Sequence, residues 1–544
     1  MFFRQKKVKD YTYLQIVENR WEDGKSRQRV LATVGRLDQL RASGQLEALL
    51  ESGARFAESL LVLSEHRRGE LPSIATRRIG APLIFERLWR ETGCAEAIEQ
   101  LLEERSFGFP VERAIFLEVL HRLVAPGSDR SGFAWREGYR IEGTQELDLH
   151  HAYRAMAWLG EALEDEEALT SRCTKDRIEE ALFAKDRDLF SGLELVFFDT
   201  TSIYFEGEGG ETLGQYGHSK DHRKNRKQMV VGVVLDQEGR PICCEMWPGN
   251  TTDVKTLVPV ARRLQKRFGI ERVCLVADRG MVKAQSLEEL AEQGWDYILG
   301  TRMRNQKEVR DEVLGKAGRY RTVFGSRTSK KEPSPLKVKE VWVEDRRYVV
   351  CLNEEHAAKD RADREAILAA LQERLKQGAT SLVGNRGYRR YLSARGAGFE
   401  IDTAKIEREQ RYDGKWVLRT TTDLDAADVA LAYKQLWMVE DIFRSMKSLL
   451  ETRPVYHRTD AAIRGHVFCS FLALRLRAEL ESRLAQRAES LEWASIVRDL
   501  DQLEEIEIEK QGTRFLLRNE APGIAGKVFQ AAGVALPPTL RKVS

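Results

Sequence analysis

Three acidic residues have the type and placement that suit metal-dependent chemistry. Asp199 follows the apolar run LELVFF and Asp278 follows RVCLVA, so each acid is expected at the end of a buried β-strand. Glu440 comes later, in the sequence YKQLWMVE, which has helical spacing. Carboxylates from two strand ends and one helix suit a pair of Mg²⁺ ions, because Mg²⁺ prefers a few carboxylate oxygens and keeps positions for water and phosphate. The pattern predicts phosphoryl transfer on a nucleic acid.

The helix that carries Glu440 has two further polar residues in register with it. Tyr433 and Lys447 lie seven residues before and after Glu440, so at about 100° per residue all three are expected on one helix face. Lys447 would stand about 10 Å from Glu440 along the helix axis, which is too far for shared metal ligation. A phosphate contact is predicted for Lys447, and a surface salt bridge is the alternative.

The segments around these acids resemble a known protein family. In chain order they are similar to the catalytic core of bacterial insertion-sequence transposases of the DDE class, in the subgroup with the signature Tyr-x2-Arg-x3-Glu-x6-Lys. Leu436 stands where the signature has Arg, which puts in doubt any role for an arginine at that turn. The similarity covers roughly residues 190 to 475, and the amino-terminal hairpin is similar to one branch of the subgroup. The segments that carry it are DTTS from Asp199, GHSKD from Gly217, PGNTTD from Pro248, DRG from Asp278, and the helix from Tyr433 to Lys447.

The resemblance implies a fold, an activity and partners. The fold would be α/β, with a ribonuclease-H-like catalytic core interrupted by a mainly β insertion and preceded by an α-helical region. Asp199 would bridge two Mg²⁺ ions, or Mn²⁺ in their place, and Asp278 and Glu440 would complete their coordination. The activity would be cleavage at the ends of the element and strand transfer into target DNA by in-line phosphoryl transfer. The partners would be double-stranded DNA, as terminal inverted repeats and target, and a second protomer in a synaptic homodimer.

Two other classes of function remain open at this stage. One is a non-catalytic DNA-binding repressor or domesticated derivative, although the intact set of three acids argues against it. The other is a ribonuclease-H-like nuclease or resolvase without strand transfer. Imperfect inverted repeats bracketing the reading frame would favour the transposase.

Basic residues near the acids are predicted to bind DNA phosphates. Clustered cations bind phosphates by releasing counterions, without reading base sequence. The segment from 302 to 331 holds ten Lys or Arg against three acids. The alternative is that these loops are solvated surface. The candidate DNA contacts are Lys220, Arg223, Lys224, Arg226 and Lys227 in one loop, Arg302 and Arg304 in the second segment, and Tyr433, Arg444 and Lys447 on the helix with Glu440.

Four other polar residues near these segments are not predicted to be metal ligands. Asp221 and Asp253 are predicted to be structural or to support the ligands, because neither follows a strand as the two catalytic candidates do. Packing or a phosphate hydrogen bond is favoured over metal ligation for His457 and His466, because no second His or Cys is spaced for zinc.

Length and composition set limits on the class of protein. A chain of 544 residues predicts three or four structural units. The 88 Lys and Arg nearly balance the 85 Asp and Glu, so any nucleic-acid surface must be local. Seven cysteines without metal-type pairing fit a reduced compartment. Without a long apolar run or a signal-like start, the prediction is a soluble bacterial protein in the cytoplasm, associated with the nucleoid and not with a membrane.

The spacing of apolar residues predicts the order of elements. Residues 11–37 alternate around an Asp-Gly turn as a hairpin, and LPSI after residue 70 indicates a linker. The helical region that follows is equally suited to recognising DNA ends or to supporting the core. The order of strands and helix over 193–301 is ribonuclease-H-like. Strands are predicted near 319–324, 336–352 and 399–422, a helix near 356–377, and a hairpin over 505–518. The predicted units are 1–70 (hairpin and helix), 71–190 (helical, DNA-end binding), 191–301 (first part of the core), 302–430 (insertion, mainly β with a helix), 431–480 (core helix with Glu440) and 481–544 (helix and hairpin).

Overall fold

A computed structural model of the chain forms two compact units. The first comprises residues 1–80, 499–526 and 535–544, and the second comprises residues 81–498 and 527–534. The structure describes residues 1–22, 25–50, 52–53, 62, 65–66, 68–69, 71, 73–103, 105–163, 172–186, 194–217, 219–220, 223, 225–269, 273–281, 284–327, 329, 332–376, 390–395, 398–510 and 512–543.

The described residues form strands, helices and short turns in the following order. The strands are β1 (Phe2–Val8), β2 (Tyr11–Glu22), β3 (Lys25–Arg36), β4 (Ser73–Arg78), β5 (Ala162–Leu163), β6 (Arg172–Cys173), β7 (Glu194–Tyr204), β8 (Gln228–Leu235), β9 (Pro241–Pro248), β10 (Val273–Ala277), β11 (Asp296–Gly300), β12 (Arg321–Phe324), β13 (Leu336–Val343), β14 (Arg346–Leu352), β15 (Leu392–Arg395), β16 (Gly398–Ile401), β17 (Lys415–Thr420), β18 (Glu504–Lys510), β19 (Thr513–Arg518) and β20 (Leu540–Val543). The helices are α1 (Leu37–Ala42), α2 (Gly80–Glu91), α3 (Cys94–Leu102), α4 (Val111–Val124), α5 (Asp129–Arg136), α6 (Leu149–Leu159), α7 (Thr174–Asp186), α8 (Leu257–Phe268), α9 (Ala284–Glu292), α10 (Glu354–Lys376), α11 (Thr403–Gln410), α12 (Ala426–Lys434), α13 (Trp437–Arg444), α14 (Asp460–Gln486), α15 (Trp493–Asp501) and α16 (Ala525–Ala532). Short turns are the 3₁₀ turns Asp253–Lys255 and Arg279–Met281 and the π turns Val309–Val313 and Ser445–Leu449.

The first unit holds two antiparallel sheets. The predicted amino-terminal hairpin is β2 and β3, and β1 adds a third strand along β2. The second sheet has the order β20-β19-β18-β4, and its β18–β19 pair is the predicted carboxyl-terminal hairpin. The linker predicted after residue 70 is wrong from Ser73 onward, because β4 pairs with β18. Local sequence cannot reveal this strand, since its partner comes near the other end of the chain.

A nine-stranded sheet forms the centre of the second unit, in the order β12-β13-β14-β17-β11-β10-β7-β8-β9. Strands β7, β8 and β9 form an antiparallel meander, and β10 and β11 run parallel to β7. This order and these directions are those of the ribonuclease-H-like fold, within a mixed α/β chain. One face of the sheet packs against α8 and α9, with Phe198, Leu264 and Leu275 in the same buried cluster.

The strands of residues 302–430 extend the same sheet. Strand β17 pairs antiparallel with β11, and β14, β13 and β12 follow outward. The strand predicted over 399–422 is divided, because α11 separates β16 from β17. Asp402 caps α11 by accepting a hydrogen bond from the Lys405 amide at 3.0 Å. This N-cap, followed by the helical spacing of TAKIEREQ, is a local signal that the strand prediction overlooked.

Helices dominate the remainder of the second unit. The predicted helical region contains α2 to α7, interrupted in the described residues by the short pair β5–β6. Helix α14 packs against α4 and α6, and its buried residues include Phe468 and Phe471. Among the described residues, no helix is both long and apolar enough to cross a membrane.

Candidate active site

Parallel pairing of two strands brings Asp199 and Asp278 together. Strands β10 and β7 pair from Val273 with Glu194 to Ala277 with Phe198. Asp199 is the next residue of β7 after the last pair, and Asp278 is the next residue after β10. Side chains alternate along a strand, so the neighbour of the core residue Phe198 turns to the opposite face of the sheet. The two acids therefore lie side by side where neighbouring parallel strands end their pairing.

The environment of Asp199 makes its negative charge unfavourable. Burial raises the pKa of the Asp199 carboxyl to about 6, and the charges of Asp278 and Asp253 add to this, against the opposing effect of Lys220. The Thr200 amide donates a hydrogen bond to Asp199 Oδ1 at 2.7 Å. A half-buried carboxylate beside other acids is a hard oxygen donor that a divalent cation would stabilise. The donor set fits Mg²⁺ or Mn²⁺.

Glu440 comes from a helix that lies against the same strands. Helix α13 packs against β7, which carries Asp199, and against β8. Glu440 is exposed on α13. In the described part of the chain, the carboxylates of Asp199, Asp278 and Glu440 do not all approach within 4.8 Å of one another. The two aspartates thus lie on neighbouring strands, and Glu440 lies on a helix that packs against one of these strands.

The predicted single helix from Tyr433 to Lys447 is wrong. Helix α12 ends at Lys434, a turn follows, and α13 begins at Trp437. A π turn then carries Lys447, with the Leu450 amide bonded to the Ser445 carbonyl at 2.8 Å. Because the winding tightens at the turn and widens at the π turn, a constant 100° per residue does not apply. Leu436 lies half-buried in the first break.

Tyr433 contacts one of the candidate ligands. Its hydroxyl donates a hydrogen bond to Asp278 Oδ1 at 3.0 Å. Tyr433 was predicted to contact DNA, and in the structure its hydroxyl lies on the carboxylate of the candidate ligand Asp278. The tyrosine therefore orients Asp278, which is otherwise exposed after its strand.

For the metal-dependent DNA cleavage that the family resemblance implies, Tyr433→Phe should lower the rate by about tenfold and raise the metal concentration needed for half-maximal rate. A hydrogen bond to a charged group contributes about 1.5–3 kcal/mol, and part of that serves to orient Asp278. The measurement is the nicking rate of labelled DNA across a Mg²⁺ titration. Tyr348→Phe is a matched control, because Tyr348, in β14, also donates a hydrogen bond from its hydroxyl to a carboxylate, that of Glu308, at 2.9 Å. Equal rates for Tyr433→Phe and the wild type at limiting Mg²⁺ would contradict this role.

Lys220 and Asp253 form a polar network beside Asp199, in which Asp253 has the supporting position predicted for it, whereas the position of Lys220 was not predicted. Lys220 Nζ donates to the Thr200 carbonyl at 2.6 Å and lies 3.3 Å from Asp253 Oδ2. Thr200 Oγ1 donates to Asp253 Oδ1 at 2.7 Å. Lys220 was predicted to contact DNA, but its ammonium group faces these acids. The sequence feature closest to predicting this network was that the segments GHSKD and PGNTTD, which contain Lys220 and Asp253, follow Asp199 in the family resemblance.

The other candidate DNA contacts in that loop lie mostly beside acids. Arg226 pairs with Glu206 at 2.8 Å and Lys227 with Glu208 at 2.5 Å. Arg223 is exposed. Lys224 and Asp221 lie outside the described residues.

The remaining candidate DNA contacts lie on two further segments. Arg304 pairs with Glu409 at 3.0 Å and stacks on the ring of Tyr412, while Arg302 is exposed. Arg444 pairs with Asp441 at 3.2 Å, and Lys447 is half-buried.

Comparisons with known proteins identify the family of this chain. The family model described as the transposase DDE domain matches residues 191–476, and the one for the IS1634 family transposase N-terminal domain matches residues 3–65. No curated protein matches the chain. The Mos1 transposase paired-end complex with left transposon end matches at 14% identity and a TM-score of 0.15, over 36% of this chain and 60% of that one. The Mos1 mariner paired end complex with Mn matches at 13% identity and a TM-score of 0.15, over 40% of this chain and 76% of that one. The DDE match alone spans more than half of the chain, so this protein belongs to the DDE transposase family, with the amino-terminal domain of IS1634 insertion-sequence transposases.

Proposed function

We propose that this protein cuts DNA at the ends of its own element and joins the freed 3′ ends to target DNA. The observation that carries the proposal is the placement of Asp199 and Asp278 side by side by β7 and β10. Glu440 approaches the same strands on α13. An in-line displacement at phosphorus needs positioning and charge stabilisation more than covalent chemistry, and an acidic cluster of this kind is suited to both.

The acids would hold two divalent cations, Mg²⁺ or Mn²⁺. When bound, the cations activate the attacking oxygen and stabilise the leaving oxygen. Asp199 would hold the cations through its carboxylate, which the Thr200 amide positions with a hydrogen bond. Tyr433 keeps Asp278 turned toward the site through its hydrogen bond. Lys220 places a positive charge next to Asp199 and limits the repulsion among the acids.

DNA and a second protomer complete the proposal. The nucleophile would be water in cleavage and the 3′-hydroxyl in joining, and no covalent enzyme intermediate is needed. Exposed Arg223 and Arg302 are suited to phosphate contacts, and Arg226, Lys227, Arg304 and Arg444 would exchange their acidic partners for phosphates. Two protomers would synapse two inverted repeats, at the nucleoid of a bacterial cytoplasm.

Each segment of the chain has a proposed role. Residues 191–301 and 431–480 would form the catalytic core, with 302–430 as its insertion. The helices of residues 71–190 would recognise the DNA ends. Membership of the subgroup with the Tyr, Arg, Glu and Lys signature is also proposed, with Leu436 replacing the arginine.

A strand-transfer assay with paired variants tests this function. Glu440→Ala should lower both nicking and joining by about a hundredfold, because it removes a charge-stabilising carboxylate worth roughly 3 kcal/mol. Asp441→Ala should stay within about twofold of the wild type, since exposed ion pairs contribute little. Asp441 is the adjacent acid on α13 and pairs with Arg444.

The readout is the joining of labelled element-end duplex to a supercoiled plasmid, with Mg²⁺ and with chelator. Wild-type joining by Glu440→Ala would refute the role of that acid. Metal-dependent nicking by the wild type without any joined product would favour the nuclease alternative.

A further inference from the structure

A cavity of about 910 Å³ lies in the second unit, outside the group of catalytic acids. This volume is within the range of sites that enclose a small ligand. Its lining combines cationic and aromatic side chains. The residues that matter here are Arg130, Arg453, Arg458, Tyr153, Tyr456 and His457.

Backbone hydrogen bonds attach this cavity to the far end of the catalytic strand. The Val455 amide donates to the Tyr204 carbonyl at 3.3 Å, and the Glu206 amide donates to the Val455 carbonyl at 3.1 Å. Tyr204 ends β7, five residues after Asp199. At the rise of a β-strand, five residues span about 17 Å. The segment 453–457, which lines the cavity, is therefore attached to the strand that carries Asp199.

A buried polar network forms the floor of the cavity. Arg122 Nη2 donates to Asp129 Oδ1 at 3.0 Å and to His466 Nδ1 at 3.1 Å. His466 Nε2 donates to the Thr452 carbonyl, and His457 Nε2 lies 3.2 Å from Asp129 Oδ2. Burial and the charge of Arg122 lower the pKa of His466 to about 3, so this ring is neutral.

The floor is a support and not a metal site. Ligand atoms of Asp129, His457 and His466 lie within 4.8 Å of one another, as in a metal site. However, the guanidinium of Arg122 already uses the Nδ1 lone pair of His466 and an oxygen of Asp129. A cation there would meet a fixed positive charge. The network instead holds the start of α5 and the segment 452–457 in one arrangement.

The walls of the cavity carry positive charge and an exposed aromatic face. Arg130 and Arg458 are exposed, and among the residues that the structure describes no salt bridge involves either of them. Tyr456 is 67% exposed. The rings of Tyr153 and His457 meet edge to face, 5.7 Å apart. An open aromatic face beside unpaired guanidinium groups is suited to a base and its phosphate, through stacking and charge-assisted hydrogen bonds.

We infer that this cavity binds one unpaired nucleotide of the DNA strand, with the base on Tyr456 and the phosphate on Arg458 and Arg130. The inference rests on the proposed function, since it concerns the same DNA. Because Val455 is hydrogen-bonded to the strand that carries Asp199, a nucleotide held here would fix the register between the DNA and the acids.

Binding of single-stranded DNA by the full-length chain tests the inference. The probe is a fluorescent oligothymidylate of about six nucleotides, compared with a duplex of the same length, in EDTA. Tyr456→Ala and Arg458→Ala should each weaken oligothymidylate binding by about tenfold or more, because stacking is worth about 1–3 kcal/mol per base. Tyr456→Phe should retain the affinity. Trp342→Ala, which removes an aromatic side chain 49% exposed and outside the cavity, should have no effect.

The other outcomes overturn the inference. These are no measurable oligothymidylate binding by the wild type, unchanged affinity in Tyr456→Ala and Arg458→Ala, or an equal loss for duplex, which would indicate a general phosphate surface. Because binding is measured without metal, the result is independent of cleavage. Normal cleavage with a cavity insensitive to these variants would remove only this inference, whereas cavity binding without any cleavage would remove only the proposed function.

Discussion

Asp278→Ala should reduce metal-dependent nicking of element-end DNA by at least about a thousandfold while leaving DNA binding unchanged. Asp278 follows β10 beside Asp199, and its carboxylate is held by Tyr433. Loss of one of the proposed metal ligands should remove about 4 kcal/mol or more of charge stabilisation, and each 1.36 kcal/mol changes the rate tenfold. The exposure of Asp278 makes misfolding of this variant unexpected.

The measurement is single-turnover nicking of labelled duplex in Mg²⁺, with binding followed separately in EDTA. Asp296→Ala is the matched control, because Asp296 begins the neighbouring strand β11 and accepts a hydrogen bond from Thr421 at 3.0 Å. Asp296 lies at the opposite end of that strand from the catalytic edge. If Asp278→Ala nicks DNA near the wild-type rate in Mg²⁺, the assignment of the metal ligands is incorrect.

The positions of Asp199 and Asp278 at the ends of buried strands could be predicted, because the apolar run before each aspartate is a local feature of the sequence. Each follows an apolar run, and parallel pairing of such strands brings their ends together. The roles of Lys220 and Tyr433 were not predictable in the same way. A lysine in a basic loop looks like a DNA contact, and only the path of the loop over β7 turns its ammonium group to Asp253 and Thr200.

The order of elements was also largely predictable, while long-range and irregular features were not. The meander β7–β8–β9 and the crossover to β10 follow from period-two and helical spacing. The pairing of β4 with β18 joins segments that are far apart in the chain, and neither sequence indicates its partner. At Leu436 the helix is interrupted by a turn, in which the Leu436 amide bonds the carbonyl three residues before it. The spacing of apolar residues over the whole segment does not reveal such a local break. The common sheet of core and insertion likewise depends on the contact of β11 with β17.

A buried ion network stabilises the back of the catalytic sheet. Arg267 Nη2 lies 2.7 Å from Glu179 Oε2, and Arg263 Nη1 lies 2.5 Å from Glu245 Oε2. Lys175 Nζ also donates to the Cys244 carbonyl in β9 at 2.7 Å. The network therefore links α7, β9 and α8. Its members, all in the second unit, are the cations Lys175, Arg263 and Arg267 and the acids Asp176, Glu179, Glu180 and Glu245.

Arg267→Met should destabilise the second unit by about 3–5 kcal/mol, because removing one of the three cations leaves the buried carboxylates with too little compensating charge. The side chains of Glu179 and Glu245 are at most 5% exposed, so water cannot replace the guanidinium. Arg262→Met, on the same helix, is the control. Arg262 is 42% exposed and lies 3.9 Å from Glu289, so its loss should cost less than about 1 kcal/mol. Urea denaturation followed by circular dichroism should show a midpoint lower by about 1 M for Arg267→Met and nearly unchanged for Arg262→Met. Equal midpoints for the two variants would mean that packing of α7 and α8, and not the ion network, holds these helices to the sheet.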